Sequence, residues 1–308
     1  MPRVSEAVRV SVVLAERGPP ADLWAAVRSV LESRLRELEV IVVGNGAADP
    51  GGATVSDPRL ITVRLRTAPG TSRQLNVGIA RARAPYIAFL SPDALIMPET
   101  LGAAVDALDR HPEAGFAFTD FDCVDANGAL VHASTAVPAL QSLTRVPLEN
   151  GWSRVSQPQL ASALLAQNLV ALSSVVLRRQ LLTEIGPFDE CLASCADLDL
   201  WFRLAHRCDA LYCEQAGHSC RSRCAGVLNP GDAGGARDRV TLLQREKARW
   251  SARAAQRLLD RRIAQSYAEM GYEERRRRHR LRSIAMFASA FALSPQRRWL
   301  RGMLGAIR

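Results

Sequence analysis

The sequence predicts an α/β protein, with a mostly parallel central sheet flanked by helices and a C-terminal helical extension. Three observations carry that prediction. Short apolar runs rich in β-branched residues recur through the first two thirds of the 308 residues. Helical periodicities fill the intervals between those runs. Basic residues concentrate at the end: residues 1–236 carry 21 basic and 25 acidic groups and 237–308 carry 19 and 6, so the formal charge of +9 divides into −4 and +13.

Residues 8–14 (VRVSVVL) and 38–43 (LEVIVV) are nearly continuous in apolar character, the pattern of strands covered on both faces. Between them Trp24, Val27, Val30 and Leu31 recur at helical spacing. Residues 60–65 read as a third strand, 71–82 as a helix, 86–90 (YIAFL) as a fourth strand, and 98–110 as a helix entered through proline. Strands joined by helices imply parallel pairing through right-handed crossovers. A strand over 115–121 leads to the turn DANG and a short strand at 129–131. Little pattern follows up to about residue 150. A helix over 157–167, the strand SSVVLRR, a helix over 180–185, the turn GPFDE and a helix led by Asp197 come next. The stretch GVLNPGDAGG (226–235) has linker composition, and everything beyond it reads as helical and basic.

An apolar fraction of 48% suits a soluble globular protein and excludes a disordered tail or a disulfide mini-protein. No apolar run approaches the ~20 residues that span a bilayer, and the N-terminus leads into a strand pattern without a cleavable small-residue site, so the expected location is cytoplasmic. Seven cysteines are then expected as free thiols; six of them fall between 191 and 224 in pairs too loosely spaced for a zinc knuckle. Because the basicity belongs to the tail, and no aromatic stacking platform accompanies the arginines, nucleic acid is not an expected partner. The tail, with 275–278 all arginine followed by the apolar stretch IAMFASAFAL, reads equally as a surface for anionic lipid, making the protein membrane-associated, or as a solvated helical face.

In an open parallel sheet, ligands collect at the carboxyl edge of the strands. Three stretches fall there: Ala15, Glu16 and Arg17; Asn45 between two glycines; and Ser91, Pro92 and Asp93. The Gly-Asn-Gly sequence is not a nicotinamide-cofactor fingerprint, because Asp49 stands where a third glycine is needed and no helix opens at once.

The segments VSVVLAE, SVLESRLRELEVIVVGNGAAD, GTSRQLNVGIARARAPYIAFLSPDALIMPETL, TDFDCVDANG and IGPFDECLASCADLDLWFRLA resemble, in order and spacing, the successive blocks of family 2 glycosyltransferases with the GT-A fold. The resemblance covers about 8–226. It implies a nucleotide-sugar half (1–113) and an acceptor half (114–226), to which composition adds a linker (227–236) and the basic helical extension (237–308). It also implies an inverting transfer of sugar from a nucleotide-diphosphate donor, UDP- or dTDP-linked, to an acceptor hydroxyl, in glycan, cell-envelope or natural-product glycoside biosynthesis.

Such a transfer needs a base for the acceptor proton and a positive partner for the departing diphosphate. The family's base maps onto Asp197. The family's Asp-x-Asp metal motif maps onto Ser91, Pro92 and Asp93, so one carboxylate remains and binding of Mg²⁺ or Mn²⁺ is expected to be weakened. The family's later metal-binding histidine maps onto Cys224. Asn45 stands where a base-reading aspartate is usual, and its carbonyl still accepts a hydrogen bond. Asn76 matches the donor block, with Arg73 beside it as a phosphate contact or a solvated arginine. The departures at Asn45, Ser91, Ala196 and Cys224 keep a second reading open, a catalytically silent relative that binds nucleotide or acts as a scaffold.

Overall fold

A computed structural model describes residues 7–46, 55–67, 69–125, 129–133, 138–141, 143–221 and 235–307. The first half runs β1 (Val10–Ala15), α1 (Pro20–Leu31), β2 (Leu38–Gly44), β3 (Leu60–Arg64), α2 (Thr71–Arg81), β4 (Tyr86–Phe89), β5 (Ala94–Ile96), α3 (Thr100–Arg110), β6 (Ala114–Val124) and β7 (Leu130–Ala133). It continues through α4 (Pro138–Gln141), β8 (Val146–Pro147), β9 (Trp152–Val155), α5 (Gln157–Ala166), β10 (Val175–Arg178), α6 (Arg179–Ile185), α7 (Ala196–Ala205) and β11 (Asp209–Cys220). Four helices close the chain: α8 (Ala236–Lys247), α9 (Arg253–Arg276), α10 (Arg280–Leu293) and α11 (Arg297–Ile307).

The strands form one mixed sheet in the order β3-β2-β1-β4-β10-β6-β11-β9-β8, with β5 on β11 and β7 on β6. Strands β1 to β4 are mutually parallel, with α1 crossing from β1 to β2 and α2 from β3 to β4. Strand β10 enters between β4 and β6 and runs antiparallel to both. Strand β11 carries register shifts between Cys213 and Ala216 and between Ala216 and His218. These bulges break the alternation a half-buried strand would show, which is why the polar stretch EQAGHSC gave no strand signal.

Both sheet faces are covered, so consecutive residues of one strand serve different cores. Val13, Ile41 and Phe89 face the layer of α2, α5 and α7, whereas Val12, Leu14 and Val40 face α1 and α3. Gly78 lets α2 lie directly on β1, since a Cβ there would come 2.2 Å from Val13 Cγ1. Beneath the sheet's amino edge, Glu39 is buried and receives Ser11 Oγ at 2.7 Å, the Arg83 backbone N–H at 2.9 Å and the Arg83 guanidinium at 2.7 Å. Burial alone would raise its carboxyl, but those donors hold it below the usual range.

The C-terminal helices take two positions. Val240, Leu242, Leu243, Leu259 and Ile263 join the core shared with α5 and α7. Ala264, Ala268, Phe287, Ala290 and Trp299 make a separate small core among α9, α10 and α11. Of the stretch expected as a linker, 227–234 lies outside the described residues, and α8 begins at Ala236.

Candidate functional site

The parallel register aligns Ala15 with Val43 and Val13 with Phe89, so β1, β2 and β4 deliver their following residues to one edge. Glu16 is fixed by its backbone N–H on Val43 O at 2.8 Å, and its Oε2 accepts the Gly46 N–H at 2.8 Å. The carboxylate lies across Gly44; a Cβ at Gly44 would stand 1.8 Å from that oxygen. The second glycine of Gly-Asn-Gly, Gly46 (φ 81°), has the Arg64 guanidinium alongside. Arg17 and Asn45 are exposed at this rim, as the sequence pattern placed them.

At the fourth strand, Ser91 Oγ donates to Asp93 Oδ1 at 2.5 Å, and the Ser91 N–H donates to Ser173 Oγ at 2.9 Å, while Pro92 is buried. Arg221, just beyond β11, donates its backbone N–H to Asp93 O at 2.9 Å and pairs with Asp22 at 3.4 Å. The Arg221 backbone is thereby held at the 91–93 turn, and its guanidinium reaches Asp22 in the first turn of α1. Among the described residues no three His, Cys, Asp or Glu side chains converge as cation ligands. Asp93, with Oδ1 already bonded to a hydroxyl, does not make a cation cage, so a divalent cation held here would take its remaining ligands from phosphate and water.

Asp197 sits in the first turn of α7, half-buried, with its Oδ2 accepting Asn168 Nδ2 at 3.0 Å. Burial pushes its carboxyl above the usual carboxylate range, against the Leu198 N–H and the Asn168 amide, which pull it down. Asn168 is itself tied, accepting the Val170 N–H at 3.4 Å. The segment 168–174 thus holds Asp197 at one end through Asn168 and the turn at 91–93 at the other through Ser173.

The approach to α7 is locked by side chains rather than by regular structure. Asp199 receives Arg203 Nε at 2.8 Å, and that guanidinium donates to Ile185 O at 2.9 Å, Gly186 O at 2.6 Å and Pro187 O at 2.8 Å. Asn76 completes the lock: its amide donates to Phe188 O at 2.9 Å and to Glu190 at 3.0 Å, and its carbonyl receives the Phe188 N–H at 3.0 Å. Asn76, expected at the donor, thus spends its polar atoms on the loop 186–190. Arg73 is exposed on α2. From below, Arg262 of α9 donates to Leu164 O and Leu165 O at 2.8 Å each, capping α5 just ahead of Asn168. Burial lowers that guanidinium to about 10, with the neighbouring Arg239 adding to the effect.

The cysteine expectation is corrected at one position. Cys123 in β6 is disulfide-bonded, whereas Cys191, Cys195, Cys208, Cys213 and Cys220 are free. The linear spacing of the cysteines could not show which of them the fold brings together. Burial pushes the Cys195 and Cys208 thiols up to about 11, so both are poor nucleophiles. Cys224, named for a metal-binding role, lies outside the described residues. No described helix is long and apolar enough to cross a membrane.

A match to the family described as Glycosyl transferase family 2 covers residues 11–173, from β1 to the segment that carries Asn168 and Ser173. The chain belongs to glycosyl transferase family 2. An uncharacterized glycosyltransferase of Rickettsia bellii is 24% identical over 203 residues, covering 63% of this chain and 27% of that protein. The succinoglycan biosynthesis protein ExoO of Rhizobium meliloti is 28% identical over 130 residues, covering 41% of this chain and 37% of ExoO. The chain spans no more than 31% of the length of the first three curated relatives it matches. Among solved structures, S. aureus TarS 1–349 superposes with a TM-score of 0.61 at 15% identity, over 97% of this chain and 88% of that one. The same TarS fragment has been solved with UDP and with UDP-GlcNAc. The likeness of fold to TarS accordingly extends in this chain through the C-terminal helices. The residues missed by sequence reasoning are Asn168, Ser173, Arg203 and Arg221; Asn168, Ser173 and Arg221 stand outside the quoted blocks and meet partners far away in the chain, whereas Arg203 lies inside the last block and acts on the loop just before α7.

Proposed function

We propose that this family 2 protein transfers a sugar, with inversion, from a uridine- or thymidine-diphosphate donor to an acceptor hydroxyl in glycan or cell-envelope synthesis. The observation that carries the reading is the segment 168–174, which ties the basic carboxylate Asp197 to the turn holding Asp93. A raised carboxyl is a stronger base than an exposed one. Asp197 takes the acceptor proton as the hydroxyl oxygen attacks the anomeric carbon, and the bond from that carbon to the diphosphate oxygen breaks on the opposite face. Arg221 offsets charge on the leaving diphosphate, a task suited to a fork of donors where a single carboxylate remains for a cation. Asn45 and Glu16 flank the nucleoside. The UDP and UDP-GlcNAc complexes of TarS and the succinoglycan biosynthesis role of ExoO support this donor and acceptor class.

The test is transfer and donor hydrolysis by purified protein across UDP- and dTDP-sugars, with donor binding followed by thermal shift. Turnover that vanishes in Asp197→Asn while donor binding persists supports the reading. Binding without turnover in the unsubstituted protein would instead establish the silent nucleotide-binding relative, which the changes at Asn45, Ser91 and Ala196 favour.

A further inference from the structure

The three last helices end in a surface that the transfer reaction does not use. Gly271 of α9 and Gly302 of α11 lie flat on Phe287 of α10, where added Cβ atoms would come 3.0 and 2.6 Å from the ring. A Cβ at Gly305 would stand 2.8 Å from Arg275 Nη1, so the end of α11 lies against the end of α9. That close packing buries Trp299, Gly302 and Ala306 and turns Leu300, Arg301 and Leu304 outward.

Two leucines at this end are strongly exposed, Leu281 at 84% and Leu304 at 64%. Around them, residues 272–282 hold six arginines against two glutamates. Glu273 is taken up by Arg276 and Arg277, and Glu274 by His279. The outer face of α11 adds Arg297, Arg298 and Arg301 without an acidic residue.

We infer that this end of the helical bundle binds an anionic lipid surface, with Leu281 and Leu304 entering the boundary between headgroups and acyl chains and the surrounding arginines meeting lipid phosphates. The chemistry selects this occupant. Arginines with aliphatic stems snorkel around inserted leucines, and a negative bilayer concentrates a cluster of this sign. A second copy of the chain would bring like charges together. Nucleic acid would use the charge but not the leucines, and the one nearby exposed ring, Tyr272, is covered by Arg275 at 5.3 Å.

The experiment is co-sedimentation of the full chain with phosphatidylcholine vesicles containing or lacking about a third phosphatidylglycerol, at low and high salt. Binding is expected to the anionic vesicles alone and to weaken with salt. The variant Leu281→Gln/Leu304→Gln, whose charge is unchanged, is expected to bind about tenfold or more weakly. Arg278→Gln/Arg282→Gln is expected to lose about fivefold for each arginine removed. Neutralising Arg34 and Arg207, exposed arginines of the α/β domain, should leave binding unchanged. All of these positions are exposed, and circular dichroism checks the fold of each variant. The inference is overturned if the folded protein ignores anionic vesicles at low salt, if the leucine variant binds as well as the parent, or if a short DNA duplex binds more tightly than the vesicles. None of these outcomes depends on sugar transfer.

Discussion

The side-chain amide of Asn168 donates to Asp197 Oδ2 at 3.0 Å, and the segment that carries it also supplies Ser173 to the Ser91 N–H. A neutral donor of this kind fixes the direction of a carboxylate without giving it a proton. It also favours the ionised form, which burial opposes. Asn168→Ala is therefore expected to lower kcat about tenfold to hundredfold and to move the acid limb of kcat/KM to higher pH. The pH profile separates positioning from mere scaffolding, since a purely structural loss would lower the plateau and leave the limb where it was.

Asp197→Asn should abolish transfer, by about a hundredfold or more, while making the protein more stable at pH above the raised folded value of the carboxyl. The sign follows from the raised carboxyl: the folded state holds this proton more tightly than the unfolded chain. The favourable contribution is present below the unfolded value and disappears as pH rises through the folded one. Above the folded value the buried charge is a net cost that the amide removes. Thermal denaturation of both proteins across a range of pH provides the comparison, with the gain from the amide expected to grow as pH rises.

His218 in β11 is fully enclosed and stacks on Phe121 at 5.4 Å; burial lowers its imidazole to about 3. Its neutral form is favoured by the fold, so that stability is present above the ordinary imidazole value and is lost as pH falls. Denaturant unfolding should show stability declining by about 1.4 kcal/mol per pH unit below about pH 6 from this residue. His218→Leu should flatten that slope whatever its cost at neutral pH.

Arg203 and Asn76 grip the same loop from α7 and α2. Arg203→Lys cannot reproduce three carbonyl contacts with one ammonium and should cost about 2 kcal/mol, as should Asn76→Ala. Because both residues act on 186–190, their double variant should depart from additivity by about 1 kcal/mol. A thermodynamic cycle from urea midpoints measures it, and strict additivity would mean that the loop is held by each independently.

The fold was legible where its signal is local. The runs at 8–14, 38–43 and 86–90 are buried on both faces and therefore read as strands without help from their neighbours. Strand β11 was hidden because its bulges spoil the alternation, and β8 and β9 because each is short and paired to distant chain. The rim loops at Glu16, Asn45 and Ser91 could be placed because every parallel strand ends at the same edge. Asn168 and Ser173 could not, since their importance lies in which atoms they meet across the fold. Asn76 shows the opposite case: a residue whose motif position suggested a ligand contact, and whose amide instead closes on a backbone.

Strand β10 lies between β4 and β6, yet it is encoded some way after both. While the ribosome is still short of residue 178, β4 and β6 cannot be bridged, and each presents an unsatisfied ladder of amides and carbonyls to any passing chain. The nascent N-terminal half is therefore not an autonomous intermediate, and closure of the sheet waits on a contact distant in the chain. Once β10 has slotted in, neither half can peel away alone, so the strands on either side of it should melt together as one cooperative block.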